Sequence, residues 1–157
     1  MKGNKAVVDE LNTALCNEMT AIVQYMVQAE MCDNWGYARL AGLTKSRAIE
    51  EMHHAEMLIE RILFLDATPD VSVGLKPQLG TGVQQQFEIS RKDESDAVKE
   101  YNNAIKVCRE AHDDGTRELF QKLLGDEERH LDFLETQLSA IKEVGIANYL
   151  AQQMGDK

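Results

Sequence analysis

Two short segments of the chain, Glu51–His54 and Glu127–His130, share the spacing Glu-x-x-His. Residues three apart on a helix are neighbours one turn along, so a carboxylate and an imidazole so placed can reach a single cation. One such pair says little by itself, because Glu is abundant and Glu50–His53 also fits the pattern within the run Glu50 to His54. The helical face decides between them. On the side of Glu51 lie Ala48, His54, Ala55, Leu58, Ile62 and Leu65, an apolar stripe broken only by the candidate ligands. The Glu50 side continues through His53, Met57 and Glu60 and is wetter. Around Glu127 the same count gives Leu123, Leu124, His130, Leu131, Leu134, Leu138 and Ile141. Both motifs are expected to point inward.

Two further stretches each carry one carboxylate on such a stripe. Glu18 sits among Leu11, Ala14, Leu15, Ile22 and Tyr25, and Glu94 precedes Ala97, Val98, Tyr101, Ile105 and Cys108. Glu18 and Glu94, Glu51 and Glu127, and His54 and His130 are each 76 residues apart. One offset for all three pairs is what two equivalent half-sites meeting at a pseudo-two-fold axis require. Four buried carboxylates without a cation would be prohibitively costly in a low dielectric. Four Glu and two His, with no thiolate, make a dinuclear set suited to iron or manganese. Their four negative charges match two divalent ions. Glu51 and Glu127, each sharing a turn with a histidine, are the better bridging candidates, with Glu18 and Glu94 terminal. Oxidation of two Fe(II) by dioxygen or peroxide is the natural chemistry.

These residues must be held by long helices. Apolar residues recur at three- and four-residue intervals over about 5–34, 38–65, 83–112 and 115–143, and a short fifth helix is expected over 146–154. Asn34, Trp35 and Gly36 break the first pair, and Asp113, Asp114 and Gly115 the second, with Thr116 available as a cap. Short connections imply antiparallel hairpins. The segment 66–82 holds both prolines and reads as a linker; its residues could span about 55 Å extended, longer than a helix of the bundle at about 40 Å. The expected fold class is all-α: two hairpins joined by one long crossover, the ferritin-like four-helix bundle with a short C-terminal helix.

The 157 residues form a chain long enough for a substantial core. A net charge of −10 speaks against a nucleic-acid binder and suits a protein that attracts cations. No membrane span or export signal is evident. Cys16, Cys32 and Cys108 show no C-x-x-C spacing, so a reducing cytoplasmic setting is expected.

Several segments together resemble the bacterioferritin family: the Met-Lys-Gly opening, NEMTAIVQY with Glu18 and Tyr25, NWG at 34–36, EMHHAEMLIERILFL at 51–65, DEERHLDFLETQL at 126–138 and the closing GIANYL. The resemblance runs end to end and implies a single ferritin-like domain over 1–157. It implies a di-iron ferroxidase centre on Glu18, Glu51, His54, Glu94, Glu127 and His130, iron storage in a hollow homo-oligomeric shell of 24 subunits, and a ferredoxin-type reductant for release. It also implies haem b shared between two subunits, with Met52 as axial ligand; spacing alone would make Met52 a gap-filler. For Tyr25 it implies electron donation during oxygen reduction. Some members bind iron through a histidine and an aspartate where this chain has Ser46 and Glu50. The rival reading is a di-iron redox enzyme that stores nothing, such as a rubrerythrin-like peroxidase, which would want a four-cysteine site that this sequence lacks.

Overall fold

A computed structural model describes residues 1–72 and 74–155, and every regular element among them is helical. They are α1 (Lys5–Asn34), α2 (Ala38–Phe64), α3 (Val83–Glu110), α4 (Asp114–Val144) and α5 (Ile146–Ala151). Helix α1 packs along α2 and α3 along α4, the two hairpins meet through α1 against α3 and α2 against α4, and α5 folds onto α4. The all-α, ferritin-like bundle expected from the sequence is the observed fold.

The hairpin turns repeat the offset that relates the ligands. At the end of α1, Tyr37 N donates to Cys32 O at 2.9 Å with Gly36 at φ 88° between them. At the end of α3, Asp113 N donates to Cys108 O at 2.9 Å with His112 at φ 55°. Both are left-handed helix closures, and Gly36 and His112 are 76 residues apart. The second turn therefore falls earlier than expected. Its left-handed residue is His112, Asp113 is the cap and accepts from Thr116 N at 2.9 Å, and Gly115 is already helical. Helix α3 accordingly ends at Glu110 rather than 112.

Helix α5 is also shorter than the expected 146–154. After Ala151 the backbone tightens, with Gln152 N donating to Tyr149 O and Gln153 N to Leu150 O, and Gln153 O is then taken by Arg39 N at 3.1 Å. That bond across to α2 outcompetes another helical turn.

The crossover follows α1. Asp70 N donates to Asn12 Oδ1 at 2.8 Å and Gln78 N to Gln24 Oε1 at 2.9 Å, so the chain climbs α1 from its first half to its second. This path carries it from the end of α2 to the far end of the bundle, where α3 begins antiparallel to α1.

The core is divided in two. One apolar cluster joins Val7, Leu11, Leu15, Leu58, Ile62, Ile105, Phe120 and Leu123; another joins Cys32, Leu40, Val83, Phe87, Leu134, Ile141 and Tyr149. On every long helix the candidate ligands fall between the residues of the first cluster and those of the second. Burial of large aliphatic side chains at about 1.5–3 kcal/mol each thus clamps the bundle on both sides of a polar layer that could not hold it together alone.

Candidate metal centre

Glu18 from α1, Glu51 and His54 from α2, Glu94 from α3, and Glu127 and His130 from α4 are all buried at the middle of the bundle. The structure brings together all six residues singled out by spacing. Two overlapping groups, Glu18, Glu51, His54 and Glu127, and Glu51, Glu94, Glu127 and His130, each offer one ligand atom per residue within 4.8 Å of one another. Glu51 and Glu127 belong to both groups.

The atoms divide symmetrically. His54 Nδ1 lies 2.9 Å from Glu51 Oε2, 3.1 Å from Glu127 Oε1 and 3.6 Å from Glu18 Oε1. His130 Nδ1 lies 3.1 Å from Glu51 Oε1, 3.4 Å from Glu127 Oε2 and 3.5 Å from Glu94 Oε1. Each shared carboxylate turns one oxygen to each histidine, while Glu18 and Glu94 each serve one. The two imidazoles stack with ring centres 6.1 Å apart and planes 14° apart.

The outer ring nitrogens fix this orientation. His54 Nε2 pairs with Asp126 Oδ2 at 3.0 Å, and His130 Nε2 with Glu50 Oε2 at 2.9 Å. A carboxylate on the outer nitrogen favours the tautomer whose proton is there, leaving the Nδ1 lone pair inward, as in metal-ligating histidines. Arg129 joins the two outer carboxylates, reaching Asp126 Oδ1 and Glu50 Oε2 at 3.2 Å each. Sequence reasoning missed this layer because Glu50 lies on the wetter side of α2 and Asp126 precedes its motif. The signal was present: Glu50 and Asp126 are again 76 residues apart.

The donor set itself fits a cation. Glu51 is 1% exposed, and both its carboxylate oxygens, together with His130 Nδ1, are buried without a hydrogen-bond partner. Around these three atoms nitrogen and oxygen lie about 3 Å apart, yet not aligned for hydrogen bonding: lone pairs that converge on common points. The same crowding of buried carboxylates raises the proton affinity of the cluster. Burial and the neighbouring Glu18 carboxylate push Glu51 up to about 8, and burial with the Glu127 carboxylate raises Glu94 well above the usual carboxylate range. For His54 burial acts downward, but the hydrogen bond with Glu127 and the nearby carboxylates of Glu18 and Glu51 outweigh it and its pKa rises. The residues present fit two small cations.

Two phenols complete the layer. Tyr25 donates to Glu94 Oε1 at 2.7 Å and Tyr101 donates to Glu18 Oε1. A cavity of about 240 Å³ opens between α1 and α3, with Glu10, Asp96 and Glu100 toward solvent and Glu18, Glu51 and Glu94 at its base. Met52 stands apart: it is 40% exposed on the outer surface of α2, one turn beyond the exposed Ile49, and takes no part in the buried cluster.

The ferritin-like domain family matches this chain over residues 8–144. The chain is 39% identical to a bacterioferritin of Mycolicibacterium paratuberculosis over 152 residues, covering 97% of this chain and 96% of that protein. It is 39% identical to one of Brucella melitensis, with coverage of 95% and 92%, and 40% identical to one of Rhodobacter capsulatus, with coverage of 92% and 90%. With a ferritin-like bundle and similarity over nearly the full length of each relative, the chain belongs to the bacterioferritin family.

Proposed function

We propose that this protein stores iron and oxidises it on the way in: Fe(II) is converted to Fe(III) by dioxygen or peroxide at the intrasubunit centre, and the product is mineralised inside a shell of 24 chains. The observation that carries the reading is the pair of shared carboxylates, each dividing its oxygens between two inward Nδ1 atoms, with buried ligand atoms left unpartnered. Glu18 and His54 would hold one iron, Glu94 and His130 the other, with Glu51 and Glu127 common to both. The irons would supply the electrons for reducing the oxidant. The protein's own share is to orient both imidazoles through Asp126 and Glu50, to anchor Glu94 and Glu18 through Tyr25 and Tyr101, and to exclude bulk water with the apolar clusters on either side. The net charge of −10 per chain, repeated over a shell, would draw Fe(II) toward it. The proposal includes a cytoplasmic setting; among the described residues no helix is long and apolar enough to cross a membrane.

Loading with excess Fe(II) in air, followed by light scattering and iron analysis, tests the storage claim. A particle of 24 chains of 17.7 kDa each that retains hundreds of irons is expected. A small species holding about two irons per chain would replace storage with the peroxidase-like reading.

Haem b belongs to the same proposal, bound between two subunits by Met52 of each, with a ferredoxin-type protein as electron source for iron release. Exposure of Met52 beside Ile49 on the outer face of α2 supports it, since a soft thioether there is free for a ligand at a subunit boundary. Reconstituted protein should show a low-spin haem spectrum that Met52→Leu abolishes while iron oxidation persists. An unchanged spectrum in the variant would assign the haem to another ligand.

A further inference from the structure

The phenol layer is symmetric, and each phenol anchors one terminal carboxylate of the centre. Tyr25 and Tyr101 are 76 residues apart, as the ligands are. Each crosses between hairpins: Tyr25 of α1 bonds the carboxylate of Glu94 on α3, and Tyr101 of α3 bonds that of Glu18 on α1. Both rings are buried, and Tyr101 packs 5.8 Å from the ring of Phe120 within the apolar cluster. A phenol that is hydrogen-bonded to a carboxylate has a ready acceptor for the proton it must lose when oxidised.

Resting on the ferroxidase reading above, we propose that Tyr101 is a reducing side chain of the centre, acting through Glu18 and paired with the electron donation that the resemblance implies for Tyr25, so that one turnover reduces dioxygen completely to water. The electron count requires two such donors. Dioxygen needs four electrons and four protons to become two waters, and two Fe(II) give two electrons on becoming two Fe(III). Each phenol gives one electron and its hydroxyl proton, becoming a phenoxyl radical, and solvent supplies the other two protons. The O–O bond breaks and no peroxide leaves. With hydrogen peroxide as oxidant the two Fe(II) electrons suffice, and neither phenol is consumed.

The test is freeze-quench electron paramagnetic resonance on the full protein carrying two Fe(II) per chain, mixed with dioxygen, with ring-deuterated tyrosine to identify the signal. Unmutated protein should give more than one tyrosyl spin per centre, approaching two. Tyr101→Phe and Tyr25→Phe should each give at most one, and the double variant none, with about one hydrogen peroxide released per two Fe(II). Anaerobic addition of hydrogen peroxide should give no tyrosyl spin in any of them. Zn(II) binding at two per chain checks that each variant keeps its site. A spin yield in Tyr101→Phe equal to that of unmutated protein would overturn the proposal, as would a ceiling of one spin in unmutated protein, which decides the matter even if a variant misfolds. Absence of rapid Fe(II) oxidation in unmutated protein would instead overturn the ferroxidase reading itself.

Discussion

Glutamine at both 51 and 127 stops rapid Fe(II) oxidation at this centre while leaving a folded and more stable metal-free protein. Glu51 and Glu127 are the two residues whose oxygens face both histidines, so their loss removes what joins the half-sites. Changing the outer partners of metal ligands already costs about 10–100-fold; loss of both shared ligands should exceed about 100-fold in the initial oxidation rate, followed by stopped-flow absorbance. The amide is close in size to the carboxylate, so packing is retained. Stability moves the other way, because a carboxylate that is 1% exposed and lacks hydrogen bonds is held in the fold at a desolvation cost. The double variant should therefore melt above the unmutated metal-free protein. Oxidation at the unmutated rate would remove the intrasubunit centre from the proposal.

The second large effect is a divergence between metal-free and metal-loaded stability as pH rises. Glu51 titrates near its ordinary value of 4.5 when unfolded and at about 8 in the fold. Between those values the folded chain keeps a proton that the unfolded chain has released, so stability falls with rising pH. The upward shift of His54 adds a contribution of the same sign above 6.5, where the unfolded imidazole becomes neutral first. Each retained proton is worth about 1.4 kcal/mol per pH unit, and a chain of this size loses about 2–4 °C in Tm per kcal/mol. Calorimetry on metal-free protein should show Tm falling by roughly 8–16 °C from pH 5.5 to 7.5, about two-thirds of it from Glu51 and the rest from His54. Zn(II)-loaded protein should hold or gain Tm over the same interval, since metal takes the place of those protons and its affinity rises with pH. A metal-free Tm that rises with pH would contradict the protonated cluster.

The residues that best show what could be read along the chain are the ligands. Glu51 with His54 and Glu127 with His130 are paired by a three-residue step, a local property of any helix. Glu18 and Glu94 followed from lying on apolar stripes, and the offset of 76 tied the hairpins together. The same periodicity gave the long helices to within a few residues. It failed at the turn between α3 and α4, where Gly115 drew attention and His112 in fact takes the left-handed conformation. It failed again past Ala151, where Gln153 O bonds Arg39 N. The first is a choice between competing local closures, and the second depends on α2, which is more than a hundred residues away.

Sequence by itself thus determined the fold class, the six inward residues and the Glu-His pairs of α2 and α4, because helix periodicity fixes which side chains share a face. Tertiary structure alone decided which oxygen of Glu51 and Glu127 turns to which histidine, that Glu50 and Asp126 hold the outer nitrogens, and that Tyr25 and Tyr101 cross between hairpins to Glu94 and Glu18. Those contacts depend on how far apart four helix axes lie and how each helix is rotated about its own. Both quantities are set by the packing of the two apolar clusters and leave no mark on the spacing of residues along one helix.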